Sequence, residues 1–370
     1  MRRAAVLPPL AGALALLIAC TPSPPAARDG AVVNVYSSPG YLAADTLANF
    51  EARYHIKVNY GVFDSNQLLE TKLLAGGSGY DVVVPGAGSV ERLARAGALR
   101  RIDRGLLPNL ANLDPDIVAA ARALARGGAD DGVPYVWGTN GFMYDRTKIR
   151  ARLADAPLDS WAMMFDPRIV AHFADCGVVL FDTPVAVVPQ VLAWLGRNPN
   201  SEDLGDLAAA GEALAAIRPY IRYLSNLRQF TDLPNGSVCL ALSGSGDAFQ
   251  ARAQARRAHT GVDIGYSVPR EGAQVWFDML AIPADAPHAR NAHLFIDYLL
   301  EPEVAAAMTN ATGFATANAA ARPYIDAALL ADPIVFPPRA ARARLFPDPM
   351  KSDAYMRARL RMWTRFKTGR

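Results

Sequence analysis

The sequence lacks the short motifs by which many enzymes and metal proteins can be recognised. It has no Walker loop, no G-x-S-x-G elbow and no H-E-x-x-H pair, which argues against nucleotide hydrolysis, α/β-hydrolase chemistry and a zinc protease site. Its three cysteines include no C-x-x-C pair, which argues against a redox motif or a zinc ribbon. We therefore expect no catalytic residues, no cofactor and no metal site. The histidines are expected at surface or capping positions; they are His55, His172, His259, His288 and His293.

A strong excess of charge of either sign is also absent. The formal net charge is +3, and Arg2 and Arg3 contribute two of these positive charges. Nucleic-acid-binding proteins usually present a basic field, so we expect no nucleic-acid partner. With 370 residues, of which 51% are hydrophobic, the chain is long and apolar enough for two ordinary domains.

The one long apolar run lies at the start of the chain. Arg2 and Arg3 precede an apolar stretch at 4–19, which is shorter than the ~20 residues of a typical membrane span. A short apolar run behind a positive segment is typical of an export signal. The pattern therefore predicts a signal peptide at 1–19 and a periplasmic protein.

The end of this run resembles a bacterial lipobox, with the sequence Leu17-Ile18-Ala19-Cys20. This predicts cleavage before Cys20, a lipid on that cysteine and anchoring to a membrane. Residues 20–30 are rich in proline and alanine and are expected to form a tether. The alternative is ordinary cleavage near Ala26 or Ala27.

The other two cysteines are Cys176 and Cys239, 63 positions apart. An oxidising compartment favours a disulfide between them, and closing such a loop contributes roughly 4 kcal/mol in the chain-entropy model. The alternative is a pair of buried free thiols.

Strand and helix patterns alternate along the chain. Apolar runs suited to strands lie at 32–37, 57–63, 80–84, 133–137, 141–144, 177–181, 237–242, 262–268 and 275–282. Helical patterns fill gaps between them, at 43–54, 64–74, 114–124, 187–195 and 204–217. N-cap patterns are carried by Asp64 with Gln67, by Ser89, and by Asp114 with Pro115.

This order predicts an α/β fold with a parallel, doubly wound sheet. Ligands of such sheets bind at the carboxyl ends of strands. The rule points to residues 37–38, 85–89, 182, 243–247 and 276–278.

Two of these places combine an acidic residue with aromatic residues. Asp247, expected to end a strand, has Phe249 nearby, and Asp278 follows Trp276 and Phe277. A carboxylate and an aromatic face together suit an organic ammonium group. The alternative is that Asp278 caps a turn and Trp276 belongs to the core. A phosphate cradle at 243–247 is disfavoured, because the run has no lysine.

Several longer segments carry a resemblance to a known family; they are 45–51, 62–66, 80–85, 112–115, 175–178, 232–236 and 277–286. From about Val33 onwards the chain resembles the putrescine- and spermidine-binding proteins of bacterial polyamine ABC transporters, and the putrescine-binding branch is closer. The resemblance implies a disulfide between Cys176 and Cys239.

It also implies a two-lobed periplasmic-binding-protein (Venus flytrap) fold with discontinuous lobes, each with a central doubly wound sheet. We expect lobe 1 at 31–137 and 278–325, and lobe 2 at 138–277 and 326–370. A polyamine-like cation is expected to bind between the lobes of a monomer and to favour the closed form, which an inner-membrane ABC permease recognises.

The resemblance assigns eight residues to ligand binding: Ser38, Tyr41, Gly86, Asn226, Asp247, Trp276, Asp278 and Phe314. Asp247 and Asp278 stand where the family keeps its amine-binding carboxylates. Tyr41 is retained, and Trp276 replaces one aromatic residue with another.

Other pocket positions depart from the family pattern. Ser38 and Gly244 stand in place of tryptophans, and Gly40 and Ala186 in place of acidic residues. Gly86 and Asn226 replace serines, and Phe314 replaces a tyrosine. These changes imply a wider, less negative cleft and a ligand that is bulkier than putrescine or has fewer cationic groups.

Three other functions fit the same resemblance. The protein could be a periplasmic sensor, an enzyme built on the scaffold, or a degenerate member with little affinity for ligand. The basic C-terminal stretch, with Met356, Leu360 and Trp363 at helical spacing, is expected to form an amphipathic helix packed on lobe 2.

Overall fold

The computed structural model describes residues 31–369. The predicted signal peptide at 1–19, the lipid site at Cys20 and the tether at 20–30 lie outside the described residues.

The described part of the chain alternates short strands with helices. Its strands are β1 Val32–Ser37, β2 Lys57–Val62, β3 Val82–Val83, β4 Leu99–Arg100, β5 Gly132–Asp145, β6 Val178–Leu180, β7 Ile221–Leu224, β8 Leu240–Gly244, β9 Ile264–Ser267, β10 Ala273–Pro283, β11 Ala315–Thr316 and β12 Leu345–Phe346. Its α-helices are α1 Thr46–Tyr54, α2 Asn66–Leu74, α3 Ala87–Arg95, α4 Pro115–Ala125, α5 Arg146–Arg152, α6 Ala162–Phe165, α7 Pro167–Val170, α8 Pro184–Trp194, α9 Leu204–Ile217, α10 Gln229–Asp232, α11 Ser245–Arg257, α12 Ala289–Leu299, α13 Pro302–Thr312, α14 Ala327–Leu330, α15 Arg339–Arg342 and α16 Asp353–Thr368.

The main path of the sheet has the order β2-β1-β3-β10-β5-β8-β6-β7. The predicted parallel pairing is confirmed in both outer parts, where β1 runs parallel to β2 and β3, and β6 runs parallel to β7 and β8. It is wrong in the centre, because β10 is antiparallel to β3 and β5, and β5 is antiparallel to β8. The long strands β5 and β10 pass through both parts and join them into one sheet.

The molecule is two-lobed, with a separate core on each side of β5 and β10. One core combines residues from 33–136 with residues from 280–314. The other combines residues from 142–273 with residues of α16. The exact lobe boundaries expected from the sequence remain predictions. The later segment touches both lobes, since Val335 packs beside the first core and Ile334 beside the second.

Several helix starts follow their capping residues. The Asp114 side chain accepts hydrogen bonds from the backbone N–H groups of Asp116 and Ile117 at the start of α4, as its N-cap pattern predicts. Two other predicted caps are wrong. Ser65 rather than Asp64 caps α2, through a 3.2 Å bond from the N–H of Leu68. Ser89 lies within α3, whose N-cap is Gly86.

The C-terminal helix α16 packs on lobe 2 as expected, where it lies against α9 and α8. The packing face was only partly predicted. Trp363 is buried, whereas Met356 and Leu360 are exposed, and the face is completed by Tyr355, Arg359 and Phe366.

Lobe 2 contains the predicted disulfide between Cys176 and Cys239, whose Cα atoms are 5.5 Å apart. In lobe 1, the histidine expectation is wrong for His293, which is buried; its Nε2 accepts a 3.0 Å hydrogen bond from the N–H of Asp103. Residues 31–369 include no helix that is both long and apolar enough to span a membrane.

Candidate functional site

A cavity of about 690 Å³ lies between the lobes, beside β10. All eight residues predicted to bind ligand line it: Ser38, Tyr41, Gly86, Asn226, Asp247, Trp276, Asp278 and Phe314. They come from distant parts of the chain, and the fold brings them together. Several lie just after the ends of β1, β3 and β8, and Trp276 and Asp278 lie in the middle of β10, beside its bulge. No sequence element alone could form this cavity.

Asp278 reaches the cavity from the middle of β10. The register between β10 and β5 shifts between Asp278 and Met279, and such a bulge reorients a side chain. Asp278 also forms an isolated antiparallel bridge with Gly86 of lobe 1. Its Oδ2 accepts a 2.5 Å hydrogen bond from the hydroxyl of Tyr41. The turn-cap alternative for Asp278 is therefore wrong.

Asp247 reaches the cavity from the first turn of α11, not from the end of a strand as the sequence pattern suggested. Strand β8 ends at Gly244, which is also the N-cap of α11. The Asp247 carboxylate turns back over Gly244. It lies so close that a Cβ atom built on Gly244 would be 2.6 Å from Oδ2. A carboxylate in the first turn of a helix is stabilised by the positive end of the helix dipole.

The two carboxylates influence each other's protonation. Burial between the lobes, and then the negative charge of Asp278, raise the pKa of Asp247 to about 7. Burial also raises the pKa of Asp278 to about 6, although the Tyr41 hydrogen bond opposes this rise. Carboxyl groups that are costly to ionise gain most from a bound cation. The pair therefore favours a positively charged occupant.

Aromatic rings form the wall beside the aspartates. The Phe314 ring meets Tyr41 edge to face with centroids 4.7 Å apart, and it meets Trp276 in the same way at 6.0 Å. Trp276 lies so close to Gly138 that a Cβ there would be 2.4 Å from its ring. Trp276 is only half-buried, so it borders the cavity instead of belonging wholly to the core. Such faces suit the methylene groups and the charge of an organic ammonium.

The remaining predicted residues are less enclosed. Ser38 is half-buried and Asn226 is exposed. The Oδ1 of Asn226 accepts a 3.0 Å hydrogen bond from the N–H of Asp182. Asp182 itself, which the strand-end rule singled out, is bound by Lys367 at 2.7 Å.

Sequence reasoning missed the charged residues elsewhere in the cavity wall. Glu70 and Arg92 line it from lobe 1, and Asp348 and Arg359 line it from lobe 2. Asn140 and Gln274, joined by a 2.9 Å hydrogen bond, also line it. No local pattern marks these residues, since their partners are distant in sequence. Within residues 31–369, no three histidine, cysteine or acidic side chains are grouped as a metal site would require.

Comparison with known proteins gives the same architecture and a common class. The family model for bacterial extracellular solute-binding proteins matches residues 45–337. The putrescine-binding periplasmic protein SpuD of Pseudomonas aeruginosa is 39% identical over 93% of this chain and 94% of its own length. The putrescine-binding periplasmic protein PotF of Escherichia coli is 39% identical over 93% of each chain. A solved putative spermidine/putrescine ABC transporter protein from Listeria monocytogenes superposes with a TM-score of 0.79, at 26% identity, over 92% of this chain and 99% of its own.

Proposed function

This chain belongs to the bacterial extracellular solute-binding proteins, and on that premise we propose that it captures a polyamine-like organic cation for an ABC importer. The ligand binds in the cleft between the lobes, and the closed, loaded form delivers it to the permease. The relatives at 38–39% identity are named as putrescine- or putrescine/agmatine-binding proteins, which supports this class of ligand.

The observation that carries the proposal is the pair Asp247 and Asp278 in one cavity. Both carboxyls have a raised pKa because burial disfavours their charged forms, so a cation that enters between them offsets an existing cost. Tyr41, Trp276 and Phe314 lie around the pair and supply aromatic surface. A neutral sugar or an anion would leave this cost uncompensated.

The proposed ligand is bulkier than putrescine or has fewer cationic groups. Positions 38, 86 and 244 have small residues, and the cavity of about 690 Å³ exceeds the space that a four-carbon diamine needs. Each large aromatic wall that is absent removes a contact area worth a few kcal/mol. We therefore expect spermidine or a bulkier amine to bind more tightly than putrescine.

The same proposal includes a location and a partner. The lipobox-like sequence at 17–20 supports a lipid on Cys20 and attachment to a membrane, with residues 20–30 as tether. An inner-membrane ABC permease is the proposed recipient, and the protein acts as a monomer. Cleft residues are assigned to binding and none to catalysis.

A thermal-shift and calorimetric screen tests the proposal. Putrescine, cadaverine, spermidine and agmatine are compared with glucose and with glutarate, a dianion of similar length. A ligand that binds the folded form raises the melting temperature, and we expect this only with the amines. Stabilisation by glutarate or glucose alone would contradict the assignment, and putrescine as the tightest ligand would contradict the altered specificity.

Variants at the aspartates complete this test. Asp247→Asn and Asp278→Asn keep the side-chain shape but remove the charge, so each should weaken amine binding by at least tenfold. The matched control is Asp263→Asn, because Asp263 pairs with Arg146 on the exposed surface of lobe 2. Equal affinities for all three variants would show that the cavity aspartates do not bind the amine.

A further inference from the structure

Charged side chains outside the aspartate pair also line the cavity, and four of them form two pairs of opposite charge: Glu70 with Arg92 on lobe 1, and Asp348 with Arg359 on lobe 2. We call them the interlobe quartet. Together they carry no net charge, and each lobe contributes one acid and one arginine.

The lobe 1 pair is fully hydrogen-bonded. Arg92 donates from Nε and Nη2 to the two carboxylate oxygens of Glu70, at 3.0 and 2.5 Å. The hydroxyl of Ser89 also donates to Glu70, at 2.5 Å. The Arg92 side chain is 42% exposed, so it can move without leaving a buried charge behind.

The lobe 2 pair is buried and lacks such bonds. The side chains of Asp348 and Arg359 are 7% and 3% exposed, and their closest atoms are 3.8 Å apart, beyond hydrogen-bond distance. Arg359 donates instead to the sulfur of Met356. Oδ1 of Asp348 is buried and has no hydrogen-bond partner among residues 31–369. A buried carboxylate oxygen without a donor is costly.

Lys351 does not supply the missing hydrogen bond to Asp348. Its Nζ lies 3.6 Å from Oδ1 of Asp348 and donates to the carbonyl oxygen of Asn200 at 2.9 Å. Asp348 therefore lacks a hydrogen-bond donor, and Arg359 lacks a carboxylate acceptor at hydrogen-bond distance. The pair on lobe 1 could supply both, with Arg92 as the donor and Glu70 as the acceptor.

We propose that the quartet is an interlobe latch: when the cleft closes, Arg92 donates to Asp348 and Glu70 accepts from Arg359. The latch stabilises the closed form and so raises ligand affinity without touching the ligand. This inference rests on the proposed function only in taking the closed form as the one that holds the ligand.

Electrostatic coupling across the cleft supports the latch. Burial raises the pKa of Asp348, and the charge of Arg92 on the opposite lobe acts against this rise, together with Arg359 and Lys351 on its own lobe. Lys351 and Arg359 repel Arg92, so the approach is favourable only because Glu70 moves with Arg92 as a neutral pair.

The test is a double-mutant cycle on ligand affinity. Arg92→Gln, Asp348→Asn and the double variant are compared with the wild type for putrescine and spermidine by calorimetry and stopped flow. Each single variant should lower affinity about 5- to 20-fold, mainly through faster dissociation, and the double variant should be no weaker than the worse single, because both changes break one coupled contact.

A ligand contact would give a different pattern. A latch lowers the affinity for every amine by the same factor, whereas a side chain that touches the ligand changes the ranking of putrescine and spermidine. A changed ranking, additive effects or unchanged affinity would each overturn the latch. The control is Arg101→Gln, since Arg101 forms an exposed ion pair with Asp130 on lobe 1, and it should leave affinity unchanged.

A second measurement needs no ligand and separates the latch from the proposed function. The radius of gyration of the free protein is measured by X-ray scattering in low salt and in 1 M salt, which screens exposed charges. The wild type should expand in high salt, and the double variant should already be expanded in low salt. Equal radii for both proteins would overturn the latch, whereas failure of the wild type to bind any polyamine would overturn the proposed function alone.

Discussion

The hydroxyl of Tyr41 lies 2.5 Å from Oδ2 of Asp278 and donates a hydrogen bond to it. The bond joins the loop after β1 to the centre of β10, so it fixes the carboxylate where the two lobes meet. Burial and the adjacent charge of Asp278 hold the pKa of Tyr41 well above its usual range. Tyr41 therefore remains a donor, and it stabilises the charged form of Asp278.

Replacing Tyr41 by phenylalanine should weaken amine binding about 10- to 100-fold, because a hydrogen bond to a charged group is worth about 1.5–3 kcal/mol. The edge-to-face packing against Phe314 is retained, so the variant should stay folded, and its melting temperature should fall by no more than the loss of this one hydrogen bond accounts for. Isothermal calorimetry measures the loss. Tyr223→Phe is the matched control, because Tyr223 makes an equivalent 2.5 Å bond to Asp232 without lining the cavity; an equal effect of both variants would contradict a specific role for Tyr41.

Affinity for amines should fall as the pH is lowered from 8 to 5. Asp247 and Asp278 have pKa values of about 7 and 6 in the free protein, so both are charged above pH 7 and both are protonated below pH 6. The ligand amine stays charged throughout this range, and each carboxyl that must lose a proton costs up to about tenfold in affinity per pH unit below its pKa. Calorimetry at four pH values measures the slope, and Asp247→Asn should reduce it. A flat profile would contradict shared binding by the two carboxyls.

Two glycines at the site should respond differently to the same substitution. A Cβ on Gly244 would lie 2.6 Å from the Asp247 carboxylate and would force it to move, whereas a Cβ on Gly86 would meet Asp278 and Asn66 at an ordinary 3.4 Å. Gly244→Ala should therefore weaken amine binding by about tenfold, or ~1.4 kcal/mol, and Gly86→Ala much less. Both residues have negative φ values, so backbone strain does not confuse the comparison. Similar affinities for the two variants would show that Asp247 can bind from another position.

The strand and helix ranges predicted from the sequence lie within a few residues of observed elements, because buried strands and capped helices have local signals. The short strands β4, β7, β11 and β12 and about half of the helices were not predicted. The sequence could not predict that Asp247 belongs to a helix. The run 243–246 contains only serine and glycine, which are weak helix formers, yet α11 begins at Ser245. Tertiary packing decides this start: the ring of Phe314 occupies the space where a side chain at Gly246 would begin.

The centre of the sheet had no local signal either. Alternating strands and helices indicate parallel pairing, but the direction of β5 and β10 depends on which distant strands they join. The same reason explains α16, where helical spacing alone could not distinguish the exposed Leu360 from the buried Arg359. Arg359 is buried where it faces Asp348, a residue in the segment between β12 and α16.

The candidate site was predictable where residue type and family resemblance agreed. All eight residues expected at the ligand line one cavity, and their roles in binding remain predictions. The interlobe quartet was not predictable, since Arg92 and Asp348 are 256 positions apart in the numbering and neither belongs to a motif. Charged pairs of this kind become visible only when the fold places both lobes around one gap.

The disulfide between Cys176 and Cys239 should stabilise lobe 2 without affecting ligand affinity. It links the segments that lead into β6 and β8, which pair directly through Val178 and Leu240. Its loop spans 63 positions, and closing a loop of this length restricts the unfolded chain by roughly 4 kcal/mol. The double variant Cys176→Ala with Cys239→Ala should therefore lose about 2–5 kcal/mol of unfolding free energy in urea. Wild-type protein unfolded with a reductant serves as the control and should lose a similar amount.

The folded double variant should bind amines as the wild type does, because neither cysteine lines the cavity. A loss below about 1 kcal/mol would mean that the unfolded chain is already compact around these positions, and a loss of affinity would mean that the disulfide holds β8, and with it Asp247, in place.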